Sequence, residues 1–200
     1  RDQPRSRGLG DVYKRQYIDN PSDSLIRSAL AQSGWAIRYI TNPSEELQLE
    51  AVKANYDALQ YIKEPSEVVQ LQAVQENYLA LRYINEPSVA VLEAAVKQDP
   101  QAMRQITNLS KELALYLFKV SAPILGYIPN TLGVTVDEIK SIIVEAISSD
   151  NIDADYVREL INNKAIGGRQ SKWPIDLLSL IDAYGTRAVK KIAVGEYLKY

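Results

Sequence analysis

The sequence predicts an all-α protein in which an α-solenoid of short two-helix repeats is followed by a small helical C-terminal domain. Between Tyr17 and Ile106 the chain repeats itself every 22 residues: a Tyr-Ile dipeptide recurs, and an Asn-Pro-Ser or Glu-Pro-Ser triplet follows each copy. A fixed period of this length is typical of stacked copies of one small unit. No segment alternates apolar and polar residues as a half-buried strand would. The copies of the dipeptide begin at Tyr17, Tyr39, Tyr61 and Tyr83.

Apolar residues return at the same positions of every unit, whereas the positions between them vary. A unit of this size cannot bury an apolar face by itself, so these columns predict a core shared by neighbouring units. The alanines are the most informative, because a small residue at one helical position in every copy lets adjacent helices approach closely. The alanine columns are Ala29, Ala51, Ala73 and Ala95, and Ala36, Ala58, Ala80 and Ala102.

Local signals divide each unit into two helices, as the second unit illustrates. Asn42 is predicted to cap helix A, which would run from about Pro43 to Ala54 with proline at its first position and Glu45 completing a capping box. Asn55 is predicted to break this helix, because asparagine readily adopts left-handed or turn conformations. A shorter helix B would then run from Asp57 to Ile62.

The repeat array is predicted to occupy residues 17–129, and a helical C-terminal bundle or cap residues 130–200. In the fifth copy Leu109 replaces the proline, as expected of a terminal repeat that must cover the open end of a stack. The period is then lost, but helix signals persist. The predicted boundaries are a Thr135–Glu138 capping box, an N-cap at Asp153, a first helical position at Pro174, a helix end at Gly185 and a last helix starting at Thr186.

The second unit reads Asn42-Pro43-Ser44-Glu45-Glu46-Leu47-Gln48-Leu49-Glu50-Ala51-Val52-Lys53, and its copies cover Tyr17 to about Ile106. This motif resembles two families of short bacterial helical repeats: the leucine-rich repeat variant, and an uncharacterised Asn-Pro-Ser/Ala-Val-Lys repeat domain of bacterial and phage proteins. The resemblance implies a right-handed superhelix of alternating long and short helices and, at most, a binding role. The resemblance implies no catalytic residues. At the position where the second family more often has Asn-Gly, this chain has Asn55-Tyr56.

The composition excludes several classes of site. The chain has no cysteine and no histidine, which removes disulfides, thiol nucleophiles, the usual metal ligands and the usual general base. Its apolar stretches fall far short of the ~20 residues that a membrane helix needs. We therefore expect a soluble, cytoplasmic protein with no catalytic residues, no metal and no cofactor.

Charge is unevenly distributed along the chain. Residues 17–106 carry seven basic and twelve acidic side chains, residues 107–200 eleven of each, and residues 1–16 five basic and two acidic ones. The segment from Arg1 to Gln16 starts without methionine, breaks the period and resembles translated adaptor sequence at the ends of metagenomic gene models. We interpret it as non-native, so that the natural protein would begin earlier with further repeats; a basic arm for nucleic acid is the alternative.

The repeat also predicts a row of tyrosines beside a row of polar side chains on one surface. Every copy places the same position on the same face, so the tyrosines should stand about 10 Å apart, the spacing of packed helices. Tyrosine and arginine are favoured at binding hot spots; the tyrosines could equally lie half-buried between helices, and both can hold together. We name these residues the Tyr/Arg ladder: Arg38, Tyr39, Gln60, Tyr61, Arg82, Tyr83 and Arg104.

A second candidate site follows Gly167-Gly168 in the C-terminal domain. Two cations and an indole there would suit phosphate or a nucleic-acid strand, whereas the simpler interpretation is a solvated loop whose tryptophan packs into the bundle. Helix capping explains the acidic residues 150–155 better than a calcium loop does, and a Ser171–Lys172 nucleophile and base pair has no supporting motif. The candidate nucleic-acid-binding residues are Arg169, Lys172, Trp173, Lys190 and Lys191.

The leading functional hypothesis is a non-enzymatic scaffold that binds an unknown protein or peptide along the Tyr/Arg ladder. Nucleic-acid binding by a phage or bacterial effector through the basic C-terminal loop is the alternative, and an enzyme ranks third. A stacked-repeat fold alone does not decide between them.

Overall fold

The computed structural model describes residues 22–168 and 170–198, and over this range the protein is all-helical, with no β-strand. An isolated bridge joins Ile166 and Trp173. The N-terminal segment 1–16, Tyr17 and Arg169 lie outside the described residues. No helix within the described range is long and apolar enough to cross a membrane.

Ten-residue α-helices alternate with short 3-10 helices through five successive units, and corresponding helices all start one full repeat period apart. Each α-helix packs against the next α-helix, and each 3-10 helix packs against the next 3-10 helix. The α-helices are α1 (Asp23–Gln32), α2 (Glu45–Ala54), α3 (Glu67–Glu76), α4 (Val89–Gln98) and α5 (Lys111–Val120). The 3-10 helices are η1 (Gly34–Tyr39), η2 (Tyr56–Tyr61), η3 (Tyr78–Tyr83), η4 (Pro100–Gln105) and η5 (Ala122–Gly126).

The alanine columns are buried as predicted. Ala51, Ala73 and Ala95 have no accessible surface, and neither have Ala58 and Ala80. Small side chains at these positions let consecutive helices pack closely, because interior packing leaves no room for an extra methylene. The first members of the columns are different: Ala29 is exposed and Ala36 is half-buried, since no described unit covers the outer side of α1.

The predicted N-cap of helix A is wrong. Ser44 caps α2, accepting a hydrogen bond from the Leu47 N–H at 3.4 Å, and Pro43 lies before the cap. Asn42 adopts a left-handed conformation with φ 52°, which turns the chain from one helix into the next. Glu45 completes no capping box; its carboxylate accepts a 2.6 Å hydrogen bond from the Ser66 hydroxyl of the following unit.

The break after helix A also differs from the prediction. Asn55 is extended, with φ −159°, and is not left-handed. Its side-chain oxygen accepts a 2.9 Å hydrogen bond from the Asp57 N–H and so starts the next helix. That helix is a six-residue 3-10 helix, which suits such a short connector.

Glu64 offers a test of the turn between units, because it occupies the position of Asn42 and is also left-handed, with φ 49°. This conformation strains a glutamate more than an asparagine. We expect Glu64→Asn to raise the free energy of unfolding by about 0.5–1 kcal/mol and Glu64→Val to lower it. Urea denaturation followed by circular dichroism measures both. An Asn variant no more stable than the parent would mean that this turn stores no strain.

After the array, the described residues form four α-helices, which we call the C-terminal domain: α6 (Val136–Ser148), α7 (Ala154–Ile161), α8 (Leu177–Tyr184) and α9 (Arg187–Tyr197). A short 3-10 helix, η6 (Asn130–Leu132), precedes them. The packing of α7 against η5 connects this domain to the end of the array, and one continuous apolar core runs through both parts.

Most of the predicted boundaries in this domain are confirmed. Thr135 and Glu138 form a capping box, Asp153 accepts hydrogen bonds from two backbone N–H groups of α7, and Thr186 caps α9. Gly185 ends α8, as predicted. Pro174 does not start that helix: the backbone around Trp173 is tied to Ala165 and Gly167, and α8 begins only after Asp176.

Candidate functional site

The Tyr/Arg ladder is carried by the last residues of the 3-10 helices. Because these helices recur with the repeat period and pack against one another, their final turns bring equivalent side chains to one surface. Tyr39 is 62% exposed and Tyr61 is 37% exposed. The N-terminal part of the ladder therefore presents aromatic surface to solvent.

Arg38 bridges two units of the ladder. Its guanidinium carbon lies 4.5 Å from the ring centre of Tyr39 and 5.9 Å from that of Tyr61, both within cation–π range. It also donates a hydrogen bond to the Tyr39 hydroxyl, and this bond is the main cause that raises the pKa of Arg38. These distances place the two ring centres at most about 10 Å apart.

Tyr83 is the least exposed of the three ladder tyrosines. Its hydroxyl donates a 3.0 Å hydrogen bond to the Asp57 carboxylate, in the preceding unit. Burial, followed by this bond to Asp57, raises the pKa of Tyr83. Arg82 lies 6.0 Å from the Tyr83 ring centre and donates from Nε to the Leu79 carbonyl. The Tyr39 side chain is thus exposed and the Tyr83 side chain is half-buried, so both arrangements predicted for the ladder tyrosines occur.

The ladder extends one tyrosine beyond the predicted set. Arg104 lies 5.2 Å from the ring centre of Tyr127. The sequence holds the signal for this residue, because Tyr127 stands five full periods after Tyr17 and is again followed by isoleucine. Gln105 replaces tyrosine in the intervening unit. Gln60 turns its amide back to the Asp57 carbonyl at 2.9 Å, within its own helix.

The basic loop has a different role from the one that its composition suggests. The Lys172 ammonium donates to the carbonyls of Gly126 and Ile128, at 3.2 and 2.5 Å. The Trp173 indole N–H donates to the Leu125 carbonyl at 3.0 Å, and the ring is buried. Burial lowers the pKa of Lys172. Both side chains therefore bind the end of η5, where the array stops, and the packed-indole interpretation holds for Trp173.

Asn163 contributes to the same junction, since its amide donates to the Ala122 carbonyl at 2.8 Å. The Lys172 and Trp173 contacts satisfy carbonyls at the C-terminal end of η5, which have no intrahelical partners, and Asn163 holds the first residue of the same helix. Lys190 donates to the Asp182 carbonyl at 2.6 Å, whereas Lys191 is exposed. Arg169 lies outside the described residues. Of the candidate nucleic-acid residues that the structure describes, Lys172 and Trp173 bind the end of η5 and Lys190 binds α8, so these three have structural partners.

Ser171 and Lys172 do not face each other as a nucleophile and base would. The Ser171 hydroxyl donates to the Gly168 and Trp173 carbonyls, both at 2.8 Å, while the Lys172 ammonium is turned toward η5. Asp153 caps α7, so the capping interpretation is confirmed for this residue of the acidic segment.

One open cleft of about 240 Å³ is lined by two carboxylates, those of Glu145 and Asp153. Lys119 pairs with Glu145 at 2.7 Å, and Asp153 is engaged by the N-terminus of α7. The hydroxyl of Tyr156 is buried in its wall, and burial raises the pKa of this phenol. Each carboxylate therefore has a structural partner, and this arrangement does not single out an acid and base pair.

Comparison with protein-family models, curated proteins and solved structures finds no match for this chain. The similarity to the two repeat families therefore stays a prediction from the sequence motif.

Proposed function

We propose that this chain is a non-enzymatic protein-interaction scaffold: a right-handed α-solenoid that binds a protein or peptide along the Tyr/Arg ladder. The observation that carries the proposal is the row of Tyr39, Tyr61 and Arg38, exposed and mutually packed across two units. Tyrosine supplies a large contact area with few rotatable bonds, and arginine adds a planar set of donors. The resemblance of the repeat motif supports the handedness and a bacterial or phage cytoplasmic setting.

The packing of the repeat units that carry the ladder is suited to binding a partner. The alanine columns bury the inner face of each unit, and inter-unit hydrogen bonds such as Ser66 to Glu45 fix neighbouring α-helices. The Gln48 and Gln70 amides donate to the carbonyls of Pro43 and Pro65, both at 2.9 Å, so the connecting turns are held in the same way in successive units. A preorganised surface loses less entropy when it binds.

A random peptide library displayed on phage, selected against the folded chain, tests this proposal. We expect selected peptides to bind the double variant Tyr61→Ala/Arg82→Ala at least about tenfold more weakly, because central tyrosine and arginine side chains dominate binding energy. Titration calorimetry with the synthetic peptides measures the dissociation constants.

Arg27→Ala/Tyr116→Ala is the matched control, since it removes the same two residue types from the surface of α1 and α5. This variant should bind the selected peptides as the parent does. Peptides whose affinity is unchanged by the ladder variant, or reduced equally by both variants, would contradict the proposal.

A further inference from the structure

The charges of the array are segregated between its two kinds of helix. Of its acidic residues, seven lie on α1 to α4. The 3-10 helices η1 to η5 carry Arg38, Arg82 and Arg104 against a single carboxylate, Asp57, which accepts the hydroxyl of Tyr83. The 3-10 helices themselves therefore carry a net charge of +2, three arginines against one aspartate, in an array that is acidic as a whole.

Within the part of the chain that the structure describes, the three ladder arginines also form no ion pair with a carboxylate. Among residues 22–168 and 170–198, Arg27 and Arg158 form ion pairs with carboxylates, but Arg38, Arg82 and Arg104 form none. Each is instead placed against a tyrosine ring. A guanidinium has five N–H donors, so most of the donors of these arginines stay available for an external carboxylate.

We propose that the ladder binds an acidic segment in the polyproline II conformation, with its carboxylates on the face that recurs every third residue. This inference rests on the proposed function and names its partner. A polyproline II helix repeats every three residues and rises about 3.1 Å per residue, so side chains on one face recur every ~9 Å. Successive 3-10 helices of the array pack directly against one another, and packed helices lie about 8–10 Å apart. The Arg38 distances, which keep the Tyr39 and Tyr61 ring centres within about 10 Å of each other, are compatible with this spacing. The faces of an extended β-strand repeat at about 6.6–6.8 Å and match the spacing of packed helices less well.

The positions of the arginines fix the pattern further. Arg82 and Arg104 belong to adjacent units, and Arg38 lies two units before Arg82, with Gln60 between them. The matching segment has acidic residues at its first, seventh and tenth positions and an uncharged polar residue at its fourth. Proline-rich sequence in between preforms the conformation, and tyrosine-lined surfaces are a known type of docking site for such helices.

A single-stranded nucleic acid is the less favoured ligand for the same residues. Base stacking needs open aromatic faces, but Arg38 already lies over the Tyr39 ring at 4.5 Å. The net charge of −5 over residues 17–106 also opposes a nucleic-acid strand, with one phosphate per nucleotide, more strongly than a ten-residue segment with three carboxylates.

The test uses the full chain and a fluorescein-labelled ten-residue peptide, Glu-Pro-Pro-Gln-Pro-Pro-Glu-Pro-Pro-Glu. We expect fluorescence anisotropy to show saturable binding that weakens with salt. A peptide of the same composition with its glutamates at positions 1, 6 and 8, and one with lysine in place of glutamate, should bind at least about tenfold more weakly.

Two double variants distinguish binding at the ladder arginines from a general effect of positive charge on the protein. Arg82→Ala/Arg104→Ala should reduce binding at least about tenfold, whereas Lys53→Ala/Lys97→Ala, which removes the same charge from α2 and α4, should leave it within about twofold. Equal binding of the matched and shifted peptides, or equal effects of the two variants, would overturn the inference.

Failure of this inference is distinguishable from failure of the scaffold function. If the acidic peptide does not bind but library-selected peptides depend on Tyr61 and Arg82, the scaffold function stands and the acidic ligand is wrong. If a labelled twelve-nucleotide oligothymidine binds and depends on Arg82 and Arg104 while the peptide does not, the ligand is nucleic acid and the inference is overturned.

Discussion

Ala73→Asp is expected to lower the free energy of unfolding by about 3–5 kcal/mol, because it places a carboxylate where neighbouring helices leave no solvent access. Ala73 lies in α3, has no accessible surface and packs in the apolar core of the array. Ala51→Leu, in the same column, is expected to cost about 1–3 kcal/mol through overpacking. Thermal and urea denaturation followed by circular dichroism measure both changes.

The chain provides a matched control for this prediction. Ala29 occupies the same column in the first described unit but is exposed, so Ala29→Asp should change stability by less than about 1 kcal/mol. In a stacked array each unit contacts only its neighbours, so the loss of stability in the unit of Ala73 is passed on only to adjacent units. The unfolding transition is therefore also expected to broaden. Equal melting of Ala73→Asp and Ala29→Asp would show that the column does not face the core.

Trp173→Ala is expected to destabilise the junction between the array and the C-terminal domain by about 3–5 kcal/mol. Trp173 is 6% exposed, and its indole N–H is bonded to the Leu125 carbonyl at the end of η5. Truncation removes this packing and leaves that carbonyl without its partner. Trp173→Phe keeps most of the ring but not the donor, so a smaller loss of about 1–3 kcal/mol is expected.

Trp35 supplies the comparison, since it is the other of the two tryptophans and is 45% exposed. Trp35→Ala should cost less than about 1 kcal/mol. In the Trp35→Phe background Trp173 is the remaining tryptophan, so tryptophan fluorescence reports on it alone. The denaturation curve followed by this fluorescence therefore reports the unfolding of the junction. If Trp173→Ala unfolded at the same denaturant concentration as Trp35→Ala, this junction would contribute little to stability.

Features encoded within one or two helical turns could be predicted from the sequence. The alanine columns gave the buried faces of the helices because a fixed spacing repeats the same face in every copy. Thr135 with Glu138, Asp153 and Thr186 are caps that depend only on the next three residues. The ladder belongs to this group: its members share one position of the period, and Tyr127 could have been found by extending it.

The residue at which a helix begins was less predictable where the sequence offers more than one candidate. Asn42 and Ser44 are both good N-cap residues, and the turn between η1 and α2 decided for Ser44 by placing Asn42 in the left-handed region. Pro174 looked like a helix start, but the hydrogen bonds of Trp173 to the preceding loop hold that segment outside α8. In both cases the start of the helix depends on the direction of the neighbouring element, and the local sequence pattern does not contain that information.

The sequence by itself determined the helical repeat, its inward columns and the row of Tyr and Arg positions, because all of these follow from a period along the chain. Only the tertiary structure decided what the aperiodic residues do. Lys172 and Trp173 read as a nucleic-acid-binding pair, yet they bind carbonyls of η5 in a distant part of the chain. The stacking of Arg38 across Tyr39 and Tyr61 likewise depends on how two helices pack. Contacts between distant segments are set by packing in three dimensions, and no local pattern encodes them.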